Sequence, residues 1–111
     1  MSKEIQVAFI DEHLKATFEK LKDGKFEDKE IYKFIQNAIS SLAENPENGI
    51  KVPKKLWPQQ YIKEYKILNL WKYDLPKAWR LIYTIKETEV EIISVILEWF
   101  DHKAYERRFG Y

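Results

Sequence analysis

The fold is decided by residues 68–99, which read LNLWKYDLPKAWRLIYTIKETEVEIISVILEW. Over 68–73 and 79–85, large apolar residues recur at every second position, which is the period of β-strands. Residues 90–99 form a third apolar segment, and turns are indicated by Pro76 and by the charged residues 86–89. Turns this short join antiparallel neighbours, so the stretch predicts a three-stranded antiparallel meander.

The residues before this stretch predict one strand and two helices. Ile5, Val7 and Phe9 alternate with polar or small neighbours, as in a half-buried strand. Asp11 is suited to the N-cap of a first helix, which ends at Gly24. A second helix, which ends near Asn45-Pro46, is indicated by apolar residues at steps of three and four: Ile31, Phe34, Ile35, Ala38, Ile39 and Leu42.

The remaining segments complete the expected architecture. Residues 49–67 predict a long connection with a short helical turn around 59–63, and Asp101 is placed to cap one or two helical turns in the tail. The element order is then β-α-α-β-β-β, in a single domain over residues 1–111. We expect an α+β fold in which two N-terminal helices pack on one face of an antiparallel sheet and a short C-terminal helix follows. The other sheet face is then a working surface.

The composition excludes several kinds of site. The chain has no cysteine, which excludes disulfides, thiolate catalysis and cysteine-based zinc sites. Its two histidines are His13 and His102, so we expect no metal site and no cofactor. No apolar run approaches the roughly 20 residues that span a bilayer, and the N-terminus becomes acidic too early for a signal peptide. We expect a cytoplasmic protein without a membrane partner.

The middle of the chain is basic. Residues 51–80 contain eight basic side chains against Glu64 and Asp74, a net charge of +6 in a chain whose total is +1. Six aromatic residues are interleaved with these charges: Trp57, Tyr61, Tyr65, Trp71, Tyr73 and Trp79. Such a stretch attracts phosphates and offers faces for base stacking. The alternative is a solvated basic loop whose aromatic residues belong to the core.

Three segments resemble the RelE/ParE family of toxins. They are residues 71–73 (WKY), 78–83 (AWRLIY) and 98–105 (EWFDHKAY), and the element order is similar as well. The resemblance implies a toxin that a cognate antitoxin holds inactive in a hetero-oligomer. In the RelE branch, such toxins cleave mRNA on the ribosome without a metal, by attack of the RNA 2′-OH on the adjacent phosphate.

The resemblance implies a catalytic role for Arg80 and His102. Arg80 matches the strand arginine of the family, and a guanidinium is suited to a negatively charged phosphorane. By alternation it shares a sheet face with Ile82 and Thr84, the face that the helices leave open. Histidine is the side chain type suited to carry a proton near neutral pH, which makes His102 the natural proton carrier. The alternatives are a surface arginine in a salt bridge and an incidental exposed histidine.

Two further residues complete the expected catalytic set. Tyr105 lies three positions after His102, so on a helix the two side chains would face one pocket, where tyrosine orients or stacks on RNA. Glu98, at the end of the last strand, would act as a base or orient His102. The alternatives are that Tyr105 anchors the tail to the core and that Glu98 is a solvated surface carboxylate.

The remaining expected contacts are basic. RNA-phosphate contacts are expected from Lys54, Lys55, Lys72, Lys77 and Lys103, and either RNA or antitoxin contacts from Arg107 and Arg108. The chain departs from the RelE pattern in its nearly neutral charge and in the connection over 52–67. Two other functions stay open: a ParE-like protein that binds DNA gyrase, and a non-catalytic module that binds an antitoxin.

Overall fold

The structure is a computed structural model that describes residues 3–110. In chain order its helices and strands are β1 (Glu4–Phe9), α1 (Glu12–Leu21), α2 (Phe26–Glu44), β2 (Ile50–Lys51), α3 (Gln59–Tyr65), β3 (Trp71–Asp74), β4 (Arg80–Glu87), β5 (Glu91–Phe100) and α4 (His102–Phe109). The predicted α+β class, the two N-terminal helices and the short C-terminal helix are confirmed.

The five strands form one sheet in the order β1-β5-β4-β3-β2. The predicted meander is confirmed, because β3 pairs antiparallel with β4 and β4 pairs antiparallel with β5. The expectation of a wholly antiparallel sheet is wrong, since β1 lies parallel to β5. The connection after α2 also contributes β2, an edge strand that pairs with β3. Alternation identifies a strand but carries no information about its neighbour, so neither pairing was predictable from the pattern.

Helices α1 and α2 cover one face of the sheet. The side chain of Asp11 caps α1 by accepting a hydrogen bond from the Leu14 N–H at 2.8 Å, and the C-cap of α2 is Asn45, as expected. The apolar stripe of α2 packs against the strands in a core formed by Phe18, Ile31, Ile35, Ala38, Leu42, Leu75, Leu81, Tyr83 and Ile96. This layer supplies the scaffold that fixes the strands.

The opposite face of the sheet is covered as well, which corrects the expectation of an open working surface. A second core on this face consists of Val52, Tyr61, Ile67, Leu70, Ile82, Val95, Leu97, Phe100, Tyr105 and Phe109. Its residues come from the connection, α3, α4 and the strands. A register shift between Ile82 and Tyr83 in the β4–β5 pairing leaves Leu97 without an opposite residue, and Leu97 joins this second core.

Tyr83 ties the connection after α2 to the sheet. Its hydroxyl donates to the Pro46 carbonyl at 2.6 Å and accepts from the Gly49 N–H at 3.1 Å, while the whole residue is buried. Burial, more than any other influence, raises the pKa of Tyr83 to about 12. The fold therefore favours the neutral phenol, whose ordinary pKa is about 10.

Tyr83 gives a pH-dependent prediction. Because its folded pKa is raised, its contribution to stability is complete below pH 10 and is lost as the pH rises towards 12. We expect Tyr83→Phe to lower the free energy of unfolding by about 1–2 kcal/mol at neutral pH, since the Gly49 N–H loses its partner. The advantage of the native protein over this variant should fall between pH 10 and 12, as measured by urea unfolding. An advantage that is constant with pH would contradict the assignment.

Within residues 3–110, no helix has the length and apolarity needed to cross a membrane.

Candidate functional site

Arg80 stands at the start of β4, opposite Asp74 of β3 in the hairpin register. Its Nε lies 3.0 Å from Asp74 Oδ1, and its Nη1 donates to the Trp79 carbonyl at 3.1 Å. The Nε–H is not aligned with the carboxylate for a hydrogen bond, so the pair is an ionic contact. Only 19% of the Arg80 side chain is exposed. The guanidinium is therefore held in place by groups of its own hairpin.

Two cations lie over the ring of Tyr105. The Arg80 guanidinium carbon is 5.6 Å from the ring centroid, and Lys72 Nζ is 5.5 Å from it. Both distances are within the range of cation–π attraction. Lys72 Nζ is also 4.0 Å from the Asp74 carboxylate. The structure thus brings together Arg80, Lys72 and Tyr105 from the expected site, around an acidic residue, Asp74.

Tyr105 and His102 do not face one pocket. Tyr105 is buried in the second core, where its ring stacks on Phe109 at 4.6 Å between centroids and tilts against Phe100 at 5.9 Å. His102 is exposed as the first residue of α4, and its Nε2 contacts the Glu106 carboxylate one helical turn later. Asp101 caps this helix through the Ala104 N–H at 2.9 Å, as expected. The spacing of three residues does place His102 and Tyr105 about one helical turn apart on α4, but one side chain is exposed and the other is buried.

The carboxylate of Glu98 accepts hydrogen bonds from α3 and from α4, the two short helices that cover the second face of the sheet. Its Oε2 accepts a hydrogen bond from the hydroxyl of Tyr61, a residue of α3 that is fully buried. Its Oε1 accepts from Arg108 Nη2 of α4 at 3.0 Å, and Arg108 also donates to Gln60 of α3. Burial and the hydrogen bond to Glu98 raise the pKa of Tyr61 well above its ordinary value. We call Glu98, Tyr61, Arg108 and Gln60 the carboxylate cluster; it joins α3 and α4 to β5.

The other predicted basic residues are dispersed. Lys77, in the turn between β3 and β4, forms an ion pair with Glu30 of α2 at 2.8 Å. Lys54 and Lys55 are exposed in a 3₁₀ turn before α3, and Lys103 and Arg107 are exposed on α4. Among residues 3–110, no group of three or more histidine or acidic side chains is arranged to hold a metal ion.

Sequence reasoning missed two partners of the expected residues. Asp74 was predictable, because a hairpin that turns at Pro76 places it opposite Arg80. Tyr61 was assigned to the short helical turn around 59–63, and no local pattern connects it to Glu98, which lies 37 positions later.

This arrangement holds Arg80 and Lys72 in place, but the groups that could transfer a proton, Glu98 and His102, are engaged by other side chains. A guanidinium and an ammonium over one aromatic ring can attract an anion, which Asp74 offsets in part. The carboxylate of Glu98 and the imidazole of His102 each have a partner within the chain. The region is thus a basic, partly buried surface in which Asp74, Glu98 and His102 are each in contact with other side chains of the chain.

Comparison with known proteins identifies one family. The family model of the ParE toxin of type II toxin-antitoxin systems matches residues 10–97, which include α1, α2 and most of the sheet. No curated protein and no solved structure gives a significant match. The chain therefore belongs to the ParE toxin family, within the RelE/ParE superfamily of type II toxins, and its partner is a cognate antitoxin.

Proposed function

We propose that this toxin acts by binding and inhibiting DNA gyrase, and that it does not cut RNA. The observation that carries the proposal is that the four residues expected to perform RNA cleavage are all engaged within the chain. Arg80 contacts Asp74 and Tyr105, and Glu98 accepts hydrogen bonds from Tyr61 and Arg108. A general base must reach the proton that it removes, and a carboxylate with both oxygens occupied is poorly placed for this.

The two remaining residues support the same proposal. Tyr105 is buried under the two cations, where its ring serves packing. His102 lies on the outer side of α4 against Glu106. In-line attack of a 2′-OH requires a base, an acid and a phosphate-binding group around one phosphate. A toxin that works by occupying a protein surface needs none of these groups, and the ParE family supports that mode of action.

Two assays with one preparation test the proposal. We expect the purified toxin, released from its antitoxin, to block supercoiling of relaxed plasmid by DNA gyrase. We expect it to leave mRNA intact on translating ribosomes. His102→Ala should inhibit gyrase as strongly as the native protein, because no proton transfer is involved. Supercoiling at the normal rate with toxin in excess would contradict the proposal.

The second candidate is the RNA endonuclease of the RelE branch. It is favoured by Arg80 at the start of β4 and Lys72 of β3, two cations that lie over the ring of Tyr105 and are suited to an RNA phosphate. In this case Lys103 and Arg107 of α4, with Lys54 and Lys55, would contact the RNA backbone. Arg80→Lys keeps the charge but loses the planar donors. Ribosome-dependent cleavage that Arg80→Lys and His102→Ala each abolish would favour this candidate.

A further inference from the structure

An exposed aromatic side chain stands at the start of α2, on the outer side of the helical layer. Phe26 is 77% exposed, although phenylalanine is usually buried. Together with Lys29, Glu30 and Lys33 it lines a groove of about 290 Å³. The spacing of three, four and seven residues places all four side chains on one helix face, away from the face that carries Ile31 and Ile35 into the core.

This groove is positively charged. Lys29 and Lys33 are both exposed, and within residues 3–110 neither forms an ion pair. The acidic residue of the groove, Glu30, is already compensated by Lys77 at 2.8 Å. Asp28 is turned to the start of the helix, where its carboxylate accepts from the Lys25 N–H. The groove therefore combines an exposed apolar ring, Phe26, with two ammonium groups that no carboxylate of the described residues compensates.

The turn that carries Lys77 is strained and fixed against the same helix. Lys77 and Ala78 have φ angles of 58° and 63°, in the left-handed region that residues other than glycine rarely adopt. Each such residue costs about 1 kcal/mol or more, and strain of this kind concentrates at functional surfaces. The Leu75 N–H, which donates to the Trp79 carbonyl at 2.9 Å, closes the turn, and the Lys77–Glu30 pair binds it to α2. The geometry at the edge of the groove is thus held by contacts across two layers.

We infer that Phe26, Lys29 and Lys33, here called the α2 patch, bind an acidic segment of DNA gyrase that presents one apolar side chain. The inference rests on the proposed function and names its contact surface. The apolar side chain packs on the Phe26 ring, and carboxylates beside it pair with Lys29 and Lys33. Exposed aromatic side chains are typical of the residues that dominate protein interfaces. The charge of the patch selects an acidic partner, because like charges brought together on docking are unfavourable.

A supercoiling assay with purified gyrase holoenzyme tests the patch. We expect Phe26→Ala, and separately the double variant Lys29→Glu/Lys33→Glu, to raise the toxin concentration for half-inhibition by at least about tenfold. Two matched controls should leave it unchanged. Leu68→Ala removes another exposed apolar side chain, which is 91% exposed next to α3, and Lys63→Glu/Lys86→Glu reverses two exposed charges elsewhere.

The thermal unfolding midpoint of each variant separates folding from binding, since Phe26 is exposed and its removal should leave the midpoint unchanged. Antitoxin binding should also be retained. If the native toxin inhibits gyrase and both patch variants inhibit it equally well, the surface is wrong while the proposed function stands. If the variants lose antitoxin binding and keep gyrase inhibition, the patch belongs to the antitoxin and the inference is overturned. If the native toxin has no effect on gyrase, both the proposed function and the proposed role of the α2 patch are wrong.

Discussion

Replacing Gly49 by alanine is expected to lower the free energy of unfolding by at least about 3 kcal/mol, because the added methyl group meets atoms that cannot move aside. A Cβ at Gly49 would lie 2.5 Å from the Tyr83 hydroxyl oxygen and 2.6 Å from the Lys72 carbonyl oxygen. The first atom is held by the Pro46 carbonyl, and the second belongs to the backbone of β3. Relief of the clash requires β2 to leave the sheet edge. Chemical denaturation followed by tryptophan fluorescence measures the loss.

Gly110→Ala is the matched control for this prediction. No atom lies within 4 Å of the Cβ that it would add, but Gly110 has a φ of 77°. The change should therefore cost only the strain of a left-handed alanine, about 1 kcal/mol. If Gly49→Ala costs no more than Gly110→Ala, the close approach of the connection to β3 and Tyr83 is not as the structure has it.

Gly49 also illustrates what local patterns convey. Asn48-Gly49 is a dipeptide typical of turns in which glycine has a positive φ, yet the φ of Gly49 is −85°, an ordinary value. Its small size is required by Tyr83 and Lys72, which come from strands far along the chain. The two N-terminal helices and the meander, by contrast, depend on periodicity and caps within each segment, and those were predicted nearly to their ends.

One sequence feature did indicate that both faces of the sheet are covered, but an interpretation based on alternation overlooks it. Leu81, Ile82 and Tyr83 are consecutive large apolar residues and all are fully buried. Such an unbroken run indicates a strand with both faces covered, whereas the alternation around Arg80 suggested one open face. The cover comes from α3 and α4, two short helices whose packing partners lie far away in the sequence. A pattern within a short segment does not identify such partners.

The sequence identified three residues that lie together in the structure, Arg80, Lys72 and Tyr105, but it did not indicate their contacts. The segments around Trp71, Arg80 and Glu98 are neighbours in the sheet, and the cations of the first two converge on Tyr105. Whether a polar side chain is exposed or compensated depends on its tertiary partners, which sequence spacing does not give. The sequence left two interpretations of Tyr105 open, a catalytic residue or an anchor of the tail. In the structure its side chain anchors α4 to the second core, and its catalytic role stays a prediction.

Replacing Glu98 by alanine is expected to lower the free energy of unfolding by about 3 kcal/mol, because two hydrogen-bond donors, one on α3 and one on α4, lose their acceptor. The Tyr61 hydroxyl, in a residue that is fully buried, loses its hydrogen bond, and Arg108 loses its carboxylate. The matched control is Glu106→Ala, which breaks the exposed pair with His102 and should cost at most about 0.5 kcal/mol. Urea unfolding of both variants gives the comparison.

A double-mutant cycle then distinguishes a structural Glu98 from a catalytic one. Tyr61→Phe alone should cost about 1–2 kcal/mol, but in the Glu98→Ala background it should be neutral or stabilising, because the hydroxyl that it removes has already lost its acceptor. The folded fraction of Glu98→Ala should still inhibit gyrase, since the carboxylate cluster supports α3 and α4 from within. Additive costs would show that the hydrogen bond contributes nothing.

A Glu98→Gln variant provides the opposite outcome. If the native protein cleaves RNA on the ribosome, and a Glu98→Gln variant of equal stability does not, Glu98 is the base of an endonuclease. That result would contradict the gyrase proposal.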